Sequence, residues 1–188
     1  MQKVEDQIKR LAAFTSVMLI AAAEAMAQDK QQSTRRIVVS LADRKLAVVE
    51  DDKVVRIFEV AVGAPVSPSP VGIFKIANSI ADPTWYGKGK VVPPGKGNPI
   101  GTRWLGLSLQ GYGIHGTNVP SSIGHAASHG CIRMRNREVE ELFKMVRVGD
   151  PVELYAERNP ELDRFFERPT LVAETSATAG MVSGPNAQ

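Results

Sequence analysis

The sequence predicts a mainly β domain, a sandwich or small barrel with one or two short helices. Three observations carry this. Between Arg36 and Tyr155, apolar residues recur in short β-branched runs with a period near two. Short polar turns separate several of the runs, and longer Gly- and Pro-rich loops separate others. Only the stretch after Asn136 clearly repeats its apolar residues at helical spacing. A chain of 188 residues fits one such domain with an extension at each end.

Arg36–Leu41 reads as the first strand. Turns at Ala42–Arg44 and Asp51–Lys53 lead into strands at Lys45–Glu50 and Val54–Val62, the pattern of an antiparallel meander. Gly63–Pro70 is a loop before the strand Val71–Ala77. Residues 80–101 are dense in Gly and Pro and read as one long loop, with Trp85 and Tyr86 expected to pin it onto the core. Trp104–Leu109 and Tyr112–Ile114 read as two further strands. Asn136 is placed as the N-cap of a helix that carries Val139, Leu142, Phe143 and Val146 on one face. Glu138, Glu140 and Glu141 sit on its early turns, where the helix dipole favours anions. Gly149–Pro151 ends it, Val152–Tyr155 is a last strand, and residues 157–168 can form a second short helix.

The folded domain is set at 36–156. Residues 1–27 have the pattern of a secretory signal: Lys3, Lys9 and Arg10, then the apolar run Leu11–Ala23, then Ala25-Met26-Ala27 as a cleavage site. The apolar run is shorter than the ~20 residues a membrane span needs. Residues 28–35 are a polar linker. Residues 157–188 are a C-terminal extension, largely disordered because Thr170–Gln188 is poor in large apolar residues. The expected location is therefore outside the cytoplasm. Lys plus Arg exceed Asp plus Glu by 23 to 20, without a basic block, which argues against a nucleic-acid partner. A monomer is expected.

All three histidines, His115, His125 and His129, lie in the one stretch from 115 to 136 that also holds the single cysteine, Cys131. In an exported chain a lone cysteine is either an intermolecular link or a reactive thiol. A free thiol with a pKa of ~8.5 is mostly protonated at neutral pH, and the thiolate is the attacking species. A neighbouring imidazole can take the proton and hold an imidazolium against the sulfur. Cys131 is thus the candidate nucleophile. His115, at the end of a strand, is the candidate general base, and Gly116 beside it leaves a carbonyl free to orient the ring. His129 lies two positions from Cys131 and in an extended segment would share its face, which gives it a supporting catalytic role. His125 reads as a loop histidine. The backbone N–H groups of Gly130 and Cys131 are candidate oxyanion donors. Arg133 can meet a substrate carboxylate. A zinc tetrad of His125, His129, Cys131 and His115 is the competing use of these residues, but the spacing matches no common zinc pattern. No metal and no cofactor are expected.

His115-Gly116-Thr117-Asn118, followed by Ser128-His129-Gly130-Cys131-Ile132-Arg133-Met134-Arg135-Asn136, resembles the signature of the L,D-transpeptidase catalytic domain, the YkuD-type domain. Pro68-Ser69-Pro70-Val71-Gly72 is similar to that family's Thr-Pro-x-Gly loop, with Ser69 where Thr is usual. Asn98-Pro99-Ile100-Gly101 with Trp104-Leu105-Gly106-Leu107 is similar to its central strand, and Val148-Gly149-Asp150-Pro151-Val152 to its closing segment. The resemblance spans about Arg36 to Tyr155. It implies an L,D-transpeptidase-like β fold and cysteine acyl transfer on peptidoglycan stem peptides. The bond cleaved is the L,D bond before the terminal D-alanine of a tetrapeptide stem. The acyl group then passes to an amine: that of a second stem, giving a cross-link, an outer-membrane lipoprotein lysine, or a free D-amino acid. It implies that the Gly116 carbonyl replaces the acid of a Ser-His-Asp triad, and that Ser128, Asn136 and Thr117 support the site rather than react. The competing classes are an L,D-carboxypeptidase or peptidoglycan amide hydrolase, and a non-catalytic wall-binding or zinc-binding module.

Overall fold

A computed structural model describes residues 34–87 and 89–166. The expected signal at 1–27, nearly all of the linker at 28–35, and the tail at Thr170–Gln188 lie outside the described residues. The strands are β1 (Arg35–Ser40), β2 (Lys45–Glu50), β3 (Lys53–Glu59), β4 (Val62–Gly63), β5 (Gly72–Ala81), β6 (Trp85–Gly87), β7 (Lys90–Val92), β8 (Arg103–Leu107), β9 (Gly113–His115), β10 (Ala126–Ser128), β11 (Ile132–Arg133) and β12 (Pro151–Tyr155). The α-helices among the described residues are α1 (Asn136–Met145) and α2 (Pro160–Phe166). The expectation of a mainly β fold with two short helices holds.

Eight strands form one sheet in the order β11-β9-β8-β5-β12-β1-β2-β3. The meander β1-β2-β3 is antiparallel, as its turns require. Two pairings within this sheet are parallel, β1 with β12 and β9 with β11, and β4 pairs in parallel with β10 outside it. Local patterning cannot show these, because the partners are separated by long stretches of chain or lie in strands only two or three residues long.

Ile37, Val38, Val39 and Ser40 of β1 are all buried, so both faces of this strand are covered. Ile37 and Val39 join Leu46, Val48 and the α1 residues Val139 and Leu142 in the main core. Val38, Ala47 and Val49, on the opposite face, pack under Leu162, Phe165 and Phe166 of α2. Helix α2, which follows residue 156, thus seals one face of the sheet. Each buried Val, Leu, Ile or Phe among these contributes about 1.5–3 kcal/mol by burial.

Two local readings change. Residues 80–101 are not one loop, because β5 extends to Ala81 and β6 pairs with β7 as a hairpin. Tyr86 is 74% exposed and pins nothing. The segment is held instead by the buried amide of Asn98, whose Nδ2 donates to Pro83 O at 2.7 Å and reaches the carbonyls of Val92 and Pro93 at 3.3 Å. Asn136 does not cap α1. Arg135 occupies the N-cap without a side-chain capping bond, and Asn136, the first helical residue, turns its amide towards Thr117.

Candidate active site

The site grows out of the register of β5, β8, β9 and β11. Leu105, Ile114 and Ile132 lie side by side across three strands and are buried in the main core. The alternation of side chains sends their neighbours to the other face. There, Trp104, His115 and Arg133 form one row across β8, β9 and β11. The next row holds Gly106 and Gly113. Cys131, one residue before β11, continues that row, and its Sγ lies 3.7 Å from Gly111 O. Cys131 and His115 are thus diagonal neighbours on one face, with no side chain on Gly113 between them.

His115 is buried, and its Nδ1 lies 2.5 Å from Gly116 O. A carbonyl oxygen only accepts, so Nδ1 carries the hydrogen and the lone pair of the neutral ring is on Nε2. The Gly116 carbonyl is itself fixed. Asn136 Oδ1 accepts from Thr117 N–H at 3.0 Å, on the other side of the same peptide group. A β-carbon on Gly116 or Gly101 would come within 2.2 Å or 2.1 Å of that Oδ1, so both positions must be bare for Asn136 to reach in.

Burial lowers the His115 pKa to about 4; the hydrogen bond to Gly116 opposes this, and the Arg133 charge adds to it. Burial also raises the pKa of the Cys131 thiol, against the lowering influence of the Gly113 backbone and Arg133. Both directions favour the uncharged forms. The resting pair is thiol and neutral imidazole at neutral pH, not the preformed thiolate and imidazolium that sequence proximity suggests. Such a pair works by moving the proton as the sulfur attacks.

The remaining expected residues divide. Ser128 is buried; its Oγ donates to Cys131 O at 2.5 Å and accepts from Gly130 N–H at 3.0 Å. Ser128 thereby links the two ends of the loop before Cys131. It also engages Gly130 N–H, so the pair of oxyanion donors read at Gly130 and Cys131 is not free as a pair. Gly130 has φ 108°, and a β-carbon there would lie 2.7 Å from the Tyr112 ring. This left-handed bend separates His129 from Cys131, so the shared-face argument does not apply to them. His129 is exposed, as is His125. Thr117 is buried and its Oγ1 accepts from Val119 N–H at 3.0 Å, bracing the turn after His115. Among the described residues the Arg133 guanidinium has no hydrogen bond or ion pair, although it stands beside His115. Among the described residues no three His, Cys, Asp or Glu side chains are grouped to hold a metal, so the zinc tetrad is not assembled.

Trp104 and Asn78, which no local motif assigns to the site, also stand on this face. The Trp104 and His115 rings are stacked, with centroids 5.6 Å apart and planes at 21°. The readable signal is Trp104-x-Gly106 facing Gly113-x-His115 across a hairpin.

The profile of the L,D-transpeptidase catalytic domain, YkuD, matches residues 34–154. The chain is 45% identical over 119 residues to a Bacillus licheniformis relative named L,D-transpeptidase YkuD, covering 63% of this chain and 64% of that protein. It is 40% identical over 116 residues to the Bacillus subtilis protein of that name, covering 62% and 63%. It thus spans just under two thirds of the length of these curated relatives. Among solved structures, the catalytic domain of the E. faecium L,D-transpeptidase acylated by ertapenem superposes with a TM-score of 0.54 at 28% identity, covering 66% of this chain and 99% of that one. With the matched profile spanning the whole sheet and the histidine-to-cysteine face, the chain belongs to the L,D-transpeptidase catalytic domain family.

Proposed function

We propose that this chain is a peptidoglycan L,D-transpeptidase working by cysteine acyl transfer. One observation carries the reading: a buried His115, its Nδ1–H given to a clamped carbonyl, presents Nε2 on the face it shares with Cys131. Cys131 Sγ attacks the carbonyl of the residue before the terminal D-alanine of a tetrapeptide stem. As the S–C bond forms, the thiol proton passes to His115 Nε2. Cys131 N–H is the first donor to the oxyanion. The tetrahedral intermediate collapses to a thioester, and the departing D-alanine amine takes the proton from His115. An acceptor amine then attacks the thioester, gives its proton to Nε2, and the sulfur leaves and is reprotonated. Arg133, whose guanidinium has no partner among the described residues, is suited to the stem's carboxylate. His129, exposed at the mouth, helps to orient substrate.

The acceptor is the amine of a second stem, giving a cell-wall cross-link, or a lipoprotein lysine. Export through the signal at 1–27 would place the enzyme, acting as a monomer, in the periplasm or cell wall where these amines lie. The ertapenem-acylated E. faecium domain supports an acyl-enzyme route here. The test is to incubate the protein with disaccharide-tetrapeptide muropeptides and identify products by mass. Cross-linked dimer with released D-alanine is expected. Tripeptide product alone would replace transfer by hydrolysis, and unchanged substrate would reject the reading.

A further inference from the structure

We infer that Trp104, held by Asn78, is a positioning residue that fixes the plane and place of the His115 imidazole for its proton transfers with Cys131. The inference rests on the acyl-transfer reading above and adds two residues to it. Its basis is the construction of one sheet face. Trp104 pairs with His115 across β8 and β9, and their rings stack. The indole is not simply lying where space allows. It crosses Gly106 and Gly113, where a β-carbon would come within 2.8 Å and 2.7 Å of it. Its Nε1–H donates to Asn78 Oδ1 at 3.1 Å.

Asn78 reaches that place through a bulge. β5 pairs Ile76 with Leu107 and Asn78 with Gly106, so Ala77 is the extra residue. Without it, Ile76 and Asn78 would share a face. With it, Ile76 is buried in the core and Asn78 stands over Gly106. A bulge that re-aims one side chain beside a reactive centre is a recurrent device. The Gly116 carbonyl fixes one ring nitrogen of His115 but leaves the ring free to rock about that bond. A stacked indole removes this freedom. It also presents a π face to the imidazolium that exists while the proton is on Nε2, an attraction that operates only in the charged state.

The test is a double-mutant cycle between Trp104→Leu and His115→Ala, read by turnover of a tetrapeptide muropeptide and by iodoacetamide alkylation of Cys131. Trp104→Leu is expected to lower kcat ~10–100-fold with KM within about twofold, since small misplacements of a catalytic group cost this much. In the His115→Ala background it should have no further effect beyond about twofold. Trp104→Phe, which can still stack, should recover most of the rate. An equal loss in both backgrounds, or a raised KM at unchanged kcat, would overturn the inference. Should Trp104→Leu fail to fold, the exposed Asn78→Leu carries the cycle: a ~3–10-fold loss in kcat that vanishes without His115 is expected, and an unchanged kcat overturns it. If wild-type protein leaves muropeptides untouched, the acyl-transfer reading fails. The alkylation cycle still decides whether Trp104 acts through His115.

Discussion

Asn136 and His115 hold opposite ends of the Gly116–Thr117 peptide: Asn136 Oδ1 accepts from Thr117 N–H at 3.0 Å, and His115 Nδ1–H donates to Gly116 O at 2.5 Å. The orientation of the base is thereby set by a residue at the start of α1, outside the strand that carries it. Asn136→Ala should orphan the Thr117 N–H, costing about 1–3 kcal/mol in a urea titration. It should also lower the acylation rate ~10-fold or more, because the Gly116 carbonyl loses its brace. Loss of stability with an unchanged rate would show that the peptide needs no clamp.

The pKa of His115 is about 4 in the fold against 6.5 for the free side chain. The unfolded chain therefore binds the proton more readily. This neutral, buried histidine stabilises the fold fully above pH 6.5, and the stabilisation is lost as pH falls from 6.5 to 4, by roughly 3 kcal/mol. Urea midpoints of wild type and His115→Gln across that range should show the slope in the wild type and a flatter line in the variant.

Helix α2 buries Leu162, Phe165 and Phe166 against β1 and β2. Phe165→Ala should cost about 3 kcal/mol, and a chain ending before Pro160 should lose more. Ending the chain before Thr170 should change the unfolding free energy by less than ~1 kcal/mol. Denaturant curves of the three variants measure this directly.

His115→Ala and His129→Ala should differ in kind. Without its base, Cys131 acylation should slow by ~10²–10⁴-fold near neutral pH and recover in part as pH rises, because hydroxide substitutes for the base. His129→Ala should lower the rate by a similar factor at every pH. A pH series of rates distinguishes the two. A change of profile with His129→Ala alone would reverse the roles.

Much of the site was legible because its residues are local in sequence: the thiol, the candidate base and the glycine carbonyl all fall between His115 and Cys131. Strand periodicity was legible for the same reason, as it depends only on neighbours. What escaped was set by pairing at a distance. The bulge at Ala77, the parallel β9–β11 contact and the slot that accepts Asn136 arise only when separate strands come into register. Asn136 has the chemistry of an N-cap, but its side chain is taken by its tertiary partner Thr117. Charge states also escaped, because burial decides them. Adjacency of His and Cys suggested an ion pair, whereas the buried face favours two neutral groups.

The central claim is that Cys131 carries the stem peptide as a thioester formed with the help of His115. Intact-mass measurement of protein quenched in acid during turnover of a tetrapeptide stem tests it most directly. The expected species is a covalent adduct of the stem's tripeptide acyl group on Cys131, appearing with release of D-alanine. It should be absent in Cys131→Ala and should form ~10²–10⁴-fold more slowly in His115→Ala. Turnover that persists in Cys131→Ala, or an adduct that forms at the wild-type rate without His115, would contradict the account.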